Sequence, residues 1–214
     1  MAHNNLVLRV PECWEQAAET AIMRVWKLFQ LDQKSILTES DLKCWLFTEL
    51  NMLKFCEKPF AVHTEVTHYA GNVDSAKTYS FRDLSLLSQK YINLNNEIWN
   101  IFPGLSKGFS HKGNALHFEL KFSRQPRNGD QVPNVDLSDL LKINDYSFRN
   151  RGPQRKFICL IGSQNPDENI YDDLTVALKD VKQNMELLTI YYFNKDAIYK
   201  CFYQIGEYKV ESIM

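Results

Sequence analysis

The sequence predicts an α/β domain in which two helices lead into a series of strands and a later helix returns to a central strand. Three observations predict it. Apolar residues recur at helical spacing through residues 14 to 30 and again from 38 to about 55. Leu116 to Phe122 alternates strictly between apolar and polar residues. Phe157-Ile158-Cys159-Leu160-Ile161 is a continuous apolar run, the pattern of a strand covered on both faces. With 214 residues, 44% of them hydrophobic and 24% charged, the chain fits one domain spanning 1–214 with a full core.

In the first helix, Ala17, Ala21, Val25, Leu28 and Phe29 share a face, and the polar run Asp32-Gln33-Lys34-Ser35 ends it. Thr38 starts the second helix, capped by its hydroxyl and answered by Asp41 three residues on. The inward stripe of this helix reads Leu42, Trp45, Leu46, Glu49, Leu50 and Leu53. Glu49 therefore falls inside an apolar face, where a carboxylate costs several kcal/mol, roughly, unless it has a partner.

Residues 61 to 67 alternate as a half-buried strand, and Gly71-Asn72 marks the following loop. Residues 79 to 87, rich in aromatic and aliphatic side chains, form a second strand. In the third, Leu116, Phe118, Leu120 and Phe122 lie on one face and His117, Glu119 and Lys121 on the other. Asn134 caps a helix carrying Leu137, Leu140, Leu141 and Asn144 inward, and a basic loop from Arg149 to Lys156 enters the central strand. A helix over 170 to 186, a strand over 187 to 193 and a hairpin around Gly206 complete the chain.

Composition excludes several classes. No apolar run approaches the roughly 20 residues of a membrane-spanning helix, and the first residues carry no basic-then-apolar leader pattern, so a cytoplasmic protein without a membrane partner is expected. Cys13, Cys44, Cys56, Cys159 and Cys201 are odd in number and lack CxxC spacing, which predicts reduced thiols. His63, His68 and His111 belong to no zinc-ligand pattern. Net charge is −1, yet eight basic residues stand against four acidic ones between Lys121 and Lys156. That excess is either an ordinary solvated surface or a track for a nucleic-acid backbone, with Arg124, Arg127, Arg149, Arg151, Arg155 and Lys156 as the candidate contacts.

In chain order the sequence offers a glutamate on a helix face (Glu49, in LFTELNML), an aspartate on a strand (Asp83, in FRDLSLL) and the pair Glu119 and Lys121 on the next strand (HFELKF). An E-x-K strand face alone is usually just solvated; the ordered set carries the signal. This set resembles the PD-(D/E)XK nuclease superfamily over roughly residues 38 to 162. Arg82 stands where the motif's name puts proline, which removes no ligand.

The resemblance implies a restriction endonuclease-like core, αβββαβ, with a central mixed sheet flanked by helices. It also implies a Mg²⁺ (or Mn²⁺) site in which Asp83, Glu119 and the Leu120 carbonyl are ligands. Lys121 would assist the attacking water, and Glu49 would hold a second metal or orient a water. Glu65 and His63 are possible supporting residues from the neighbouring strand, with His117 and Ser85 after them. The implied activity is metal-dependent hydrolysis of nucleic-acid phosphodiesters, with DNA as the expected substrate and a homodimer as a possible assembly. Two other readings compete: a catalytically inactive nucleic-acid-binding or protein-interaction module on the same fold, and a carboxylate-pair glycosidase, which would need no lysine beside its acid.

Overall fold

The computed structural model describes residues 12–53, 60–69, 79–93, 110–111, 114–123, 155–164 and 185–213. Two helices, α1 (Glu12–Leu31) and α2 (Glu39–Met52), precede the strands β1 (Phe60–Tyr69), β2 (Tyr79–Ser88), β3 (Ile92–Asn93), β4 (Ser110–His111), β5 (Ala115–Ser123), β6 (Arg155–Ser163), β7 (Leu188–Phe193), β8 (Ile198–Gln204) and β9 (Glu207–Ser212). β3 and β4 form a two-stranded ribbon, and the other seven make one sheet in the order β1-β2-β5-β6-β7-β8-β9. The fold is mixed α/β. β1, β2 and β5 run antiparallel, β5, β6 and β7 parallel, and β7, β8 and β9 antiparallel again.

Local chemistry sets the helix starts and the last turn. Thr38 Oγ1 accepts the Asp41 N–H at 3.1 Å, and Asp41 Oδ2 accepts from the Leu37 N–H at 3.0 Å. A cap of this kind stabilises a helix by about 1 kcal/mol. Between β8 and β9 the two loop residues, Ile205 and Gly206, have φ values of 51° and 88°. Positive φ at both positions is the tight hairpin geometry that matches strand twist, and it is why glycine stands there. The helix expected over 134 to 144 and the basic loop before residue 155 lie outside the described residues, as does most of the helix expected over 170 to 186. Its last two residues instead belong to a 3₁₀ turn, Met185–Leu187.

The main core lies between the helices and one face of the sheet. Ala17, Ala21, Ile22, Val25 and Phe29 of α1 and Leu42, Leu46 and Leu50 of α2 pack with Leu84, Leu86, Leu116, Phe118, Leu120, Ile158 and Leu160. Each large side chain buried there contributes about 1.5–3 kcal/mol. Phe157, Cys159 and Ile161 point the other way and cluster with Leu188, Ile190, Tyr192 and Cys201, so β6 is covered on both faces, as its unbroken apolar run requires. Phe29 meets Phe122 and Phe193 edge to face, with centroids 5.8 and 5.5 Å apart. Gly162 makes room for that trio: a Cβ at this position would stand 2.5 Å from Phe193 Cζ and 2.7 Å from Phe122 Cδ2.

Two expectations are corrected. Trp45 does not point into the core; it is 36% exposed, and its indole N–H donates to the Ser35 carbonyl at 3.0 Å. An indole on the rim of the stripe keeps its polar edge satisfied while its ring covers apolar surface. Cys13 is disulfide-bonded, with its partner outside the described residues, whereas Cys44, Cys159 and Cys201 are free. Proximity of two thiols is a property of the fold and leaves no trace in spacing along the chain. Among the described residues no helix is long and apolar enough to cross a membrane.

Candidate active site

β2 and β5 share only a short ladder. It runs from Leu87↔Ala115 to Leu84↔Phe118 and stops there, although β2 continues beside β1 and β5 continues beside β6. The two strands therefore fork at Asp83 and Glu119. The Asp83 side chain stands in for the missing ladder: its Oδ2 accepts the Leu120 N–H at 2.9 Å. In a strand the N–H and C=O of one residue point to the same side, so the Leu120 carbonyl also faces the fork.

β2 breaks its alternation at this point. The Arg82 guanidinium lies 5.4 Å from the centre of the Phe157 ring, on the face away from the helices. Leu84 joins the helix-side core, and Asp83 reaches α2, where Lys43 Nζ lies 3.0 Å from its Oδ1. Two neighbouring residues, Asp83 and Leu84, are thus turned toward the helices, which releases the Asp83 carboxylate from the regular pleat.

On β5, Lys121 Nζ lies 3.2 Å from Glu119 Oε1 and 3.6 Å from Glu39 Oε2 at the start of α2. Side-chain exposures of 17% for Asp83, 22% for Glu119 and 27% for Lys121 leave all three half-buried but reachable from solvent. Burial, followed by the nearby Asp83 charge, raises the Glu119 carboxyl above its ordinary range, against the opposing pull of Lys121 and, more weakly, Arg82. Burial alone would depress the Lys121 ammonium, but Glu119 and Glu39, with Asp83, hold it above its ordinary value. Cys159, paired with Glu119 across the β5–β6 ladder, is fully buried, and burial followed by the Glu119 charge pushes its thiol up so far that it is inert as a nucleophile.

Two mutually repelling carboxylates and a backbone carbonyl converging on a fork make a hard, anionic oxygen set. That fits Mg²⁺, which takes one or two carboxylates and fills its remaining positions with water and substrate oxygens. The set is sparse: among the described residues no group of three or more His, Cys, Asp or Glu is arranged to hold a metal by itself.

The structure brings Asp83, Glu119, Leu120 and Lys121 together at the fork, but it places Glu49 elsewhere. Glu49 Oε2 lies 3.3 Å from Arg24 Nη1 of α1. Glu49 and Lys43 are six residues apart, so they flank the apolar stripe of α2 on opposite sides, about 120° around the axis. The Lys43 flank faces the fork and the Glu49 flank faces α1, which corrects the assignment of Glu49 to this site. Glu39 and Lys43, one helical turn apart, are the α2 residues that do reach it, and the sequence reading did not select either.

His63, Ser85 and His117 form one cross-strand row, directly beside the last ladder pair. Ser85 Oγ and His117 Nδ1 are hydrogen-bonded at 2.8 Å and fully buried, so they clasp β2 to β5 below the fork instead of lining it. His63 is half-buried, and that burial lowers its pKa. Glu65 belongs to β1, but its side chain lies outside the described residues. Arg124, Arg127, Arg149 and Arg151 also lie outside them. Arg155 opens β6, whereas Lys156 is ion-paired with Glu15 of α1, which ties its charge to the helix. No family model, curated protein or solved structure matches the chain.

Proposed function

We propose that the fork between β2 and β5 is the active site of a divalent-metal-dependent nuclease of the PD-(D/E)XK type, acting on DNA. The observation that carries this reading is the meeting of the Asp83 carboxylate, the Glu119 carboxylate and the Leu120 backbone where the strands part, with Lys121 beside them. The order of elements also supports it: α2, then the antiparallel β1, β2 and β5, then β6 parallel to β5, as a restriction endonuclease-like core requires.

Asp83, Glu119 and the Leu120 carbonyl would hold Mg²⁺ or Mn²⁺, which supplies charge stabilisation for the phosphoryl oxygens and lowers the pKa of a water. Lys121, kept cationic by Glu119 and Glu39, hydrogen-bonds the attacking water and opposes the negative charge that grows on the phosphate. Asp83 is fixed in place by the Leu120 N–H, so its position is set before substrate arrives. The supporting carboxylate expected of α2 is Glu39 in place of Glu49.

A second reading, a catalytically silent binding module, is favoured by one observation: both Asp83 oxygens already have protein partners, Leu120 N–H and Lys43. Incubation of the purified protein with plasmid, linear and single-stranded DNA and with RNA, in Mg²⁺, Mn²⁺ or EDTA, separates the two. Metal-dependent cutting that is lost in Glu119→Ala is expected. Binding without cutting under every condition would select the silent module.

A further inference from the structure

Lys43 has no place in the chemistry described so far, yet it is paired with Asp83, one of the two carboxylates proposed as metal ligands. Its ammonium lies 3.0 Å from Asp83 Oδ1, while Asp83 Oδ2 is taken by the Leu120 N–H. A divalent ion bound through Asp83 and an ammonium at that distance from the same carboxylate repel each other, so each weakens the other's hold on Asp83. Lys43 is also well built to leave. It projects from α2 on a flexible four-carbon stem, its side chain keeps 21% of its exposure, and a lysine ammonium is a mobile point charge with three donors. α2 itself is held to the sheet by its buried Leu42, Leu46 and Leu50, so its place beside the fork does not depend on the Lys43 contact.

Resting on the metal-nuclease reading, we propose that Lys43 is the internal counter-ion of the fork: it neutralises Asp83 until a divalent cation arrives. Once displaced, it contacts a phosphate oxygen of the substrate beside the scissile bond. The device has two consequences. It keeps the paired carboxylates from destabilising the metal-free protein, and it couples metal entry to the release of a phosphate-binding cation on the helix that borders the site.

The test needs no turnover. Mn²⁺ binding is titrated by electron paramagnetic resonance on the intact protein, comparing wild type with Lys43→Met, Lys43→Arg and Asp83→Asn. Each variant's fold is checked by circular dichroism. Lys43→Met is expected to bind Mn²⁺ about tenfold more tightly, a change of about 1.4 kcal/mol, and Lys43→Arg, which keeps the charge, to resemble wild type. In Ca²⁺, the salt slope for binding a fluorescein-labelled DNA duplex is expected to fall by about one in Lys43→Met, the signature of one lost phosphate contact.

If wild type binds Mn²⁺ and Lys43→Met binds it equally or more weakly, the counter-ion role is overturned while the metal site stands. Tighter Mn²⁺ binding with an unchanged salt slope overturns the phosphate contact. If wild type and Asp83→Asn alike fail to bind Mn²⁺, the metal-site reading itself falls, and this inference with it.

Discussion

Two carboxylate–ammonium clusters sit on the same sheet, and they behave in opposite ways. Under α1, Glu15 is paired with Lys156, and Glu19 is held by both Lys200 and the Tyr191 hydroxyl, the latter at 2.7 Å. Burial would raise the Glu19 carboxyl, but Lys200 and Tyr191 together bring it below its ordinary value. At the fork, Glu39, Asp83 and Glu119 share Lys43 and Lys121, and Glu119 is raised. One cluster is locally satisfied and holds a helix to a sheet; in the other, like charges are held together by the backbone. Frustration, and not the mere presence of charge, is what sets the fork, the proposed site, apart from the brace under α1.

The largest effect should come from removing a ligand at the frustrated cluster. Glu119→Ala or Asp83→Asn is expected to reduce metal-dependent cleavage on the order of 10³-fold, since a metal contributes several kcal/mol of charge stabilisation. A loss of the same size on neutralising Glu19 would erase the contrast. Gly162→Ala is expected to destabilise the fold by about 1–3 kcal/mol by forcing a Cβ into the Phe29, Phe122 and Phe193 packing, read as a shift in denaturant midpoint. Mn²⁺ affinity of the folded variant should not change.

The two clusters should also respond oppositely to pH. The folded state holds the Glu119 proton more tightly than the unfolded chain does. The stability that this group contributes is therefore present at low pH and lost as pH rises through its raised midpoint. Glu19 is the reverse: its contribution is present above its ordinary value and lost as pH falls through the lowered midpoint. Side-chain carboxyl NMR of metal-free Asp83→Asn should show the Glu119 midpoint moving down, because one cause of its elevation is gone. An unmoved midpoint would leave burial as the sole cause. Smaller still, Glu19→Gln is expected to cost about 1 kcal/mol or less and to leave cleavage intact. Glu49→Gln should do no more than loosen the contact with half-exposed Arg24, and any substantial loss of cleavage there would return Glu49 to the site.

How far the sequence disclosed this arrangement depended on whether the signal was local. The period-2 run of β5 and the Thr38 cap are local, and both appear where the pattern places them. So does the grouping of Asp83, Glu119 and Lys121, because adjacent strands bring ordered motifs together. Phase around α2 is not local. Glu49 and Lys43 flank the same leucine stripe, and only the packing of α1 decides which flank turns toward the fork. The shift at Arg82 and Asp83 is equally hidden, since alternation rules give no warning of where one strand will part from its neighbour.

Paramagnetic mapping with Mn²⁺ asks directly whether the fork, and not the α1 cluster, takes a divalent ion. The ion is titrated into isotope-labelled protein, and the residues whose resonances broaden first are identified. Early and selective broadening is expected at Asp83, Glu119 and Leu120, with Glu15 and Glu19 unaffected at the same concentration. Broadening that begins at the α1 cluster, or spreads over both carboxylate clusters alike, would contradict it.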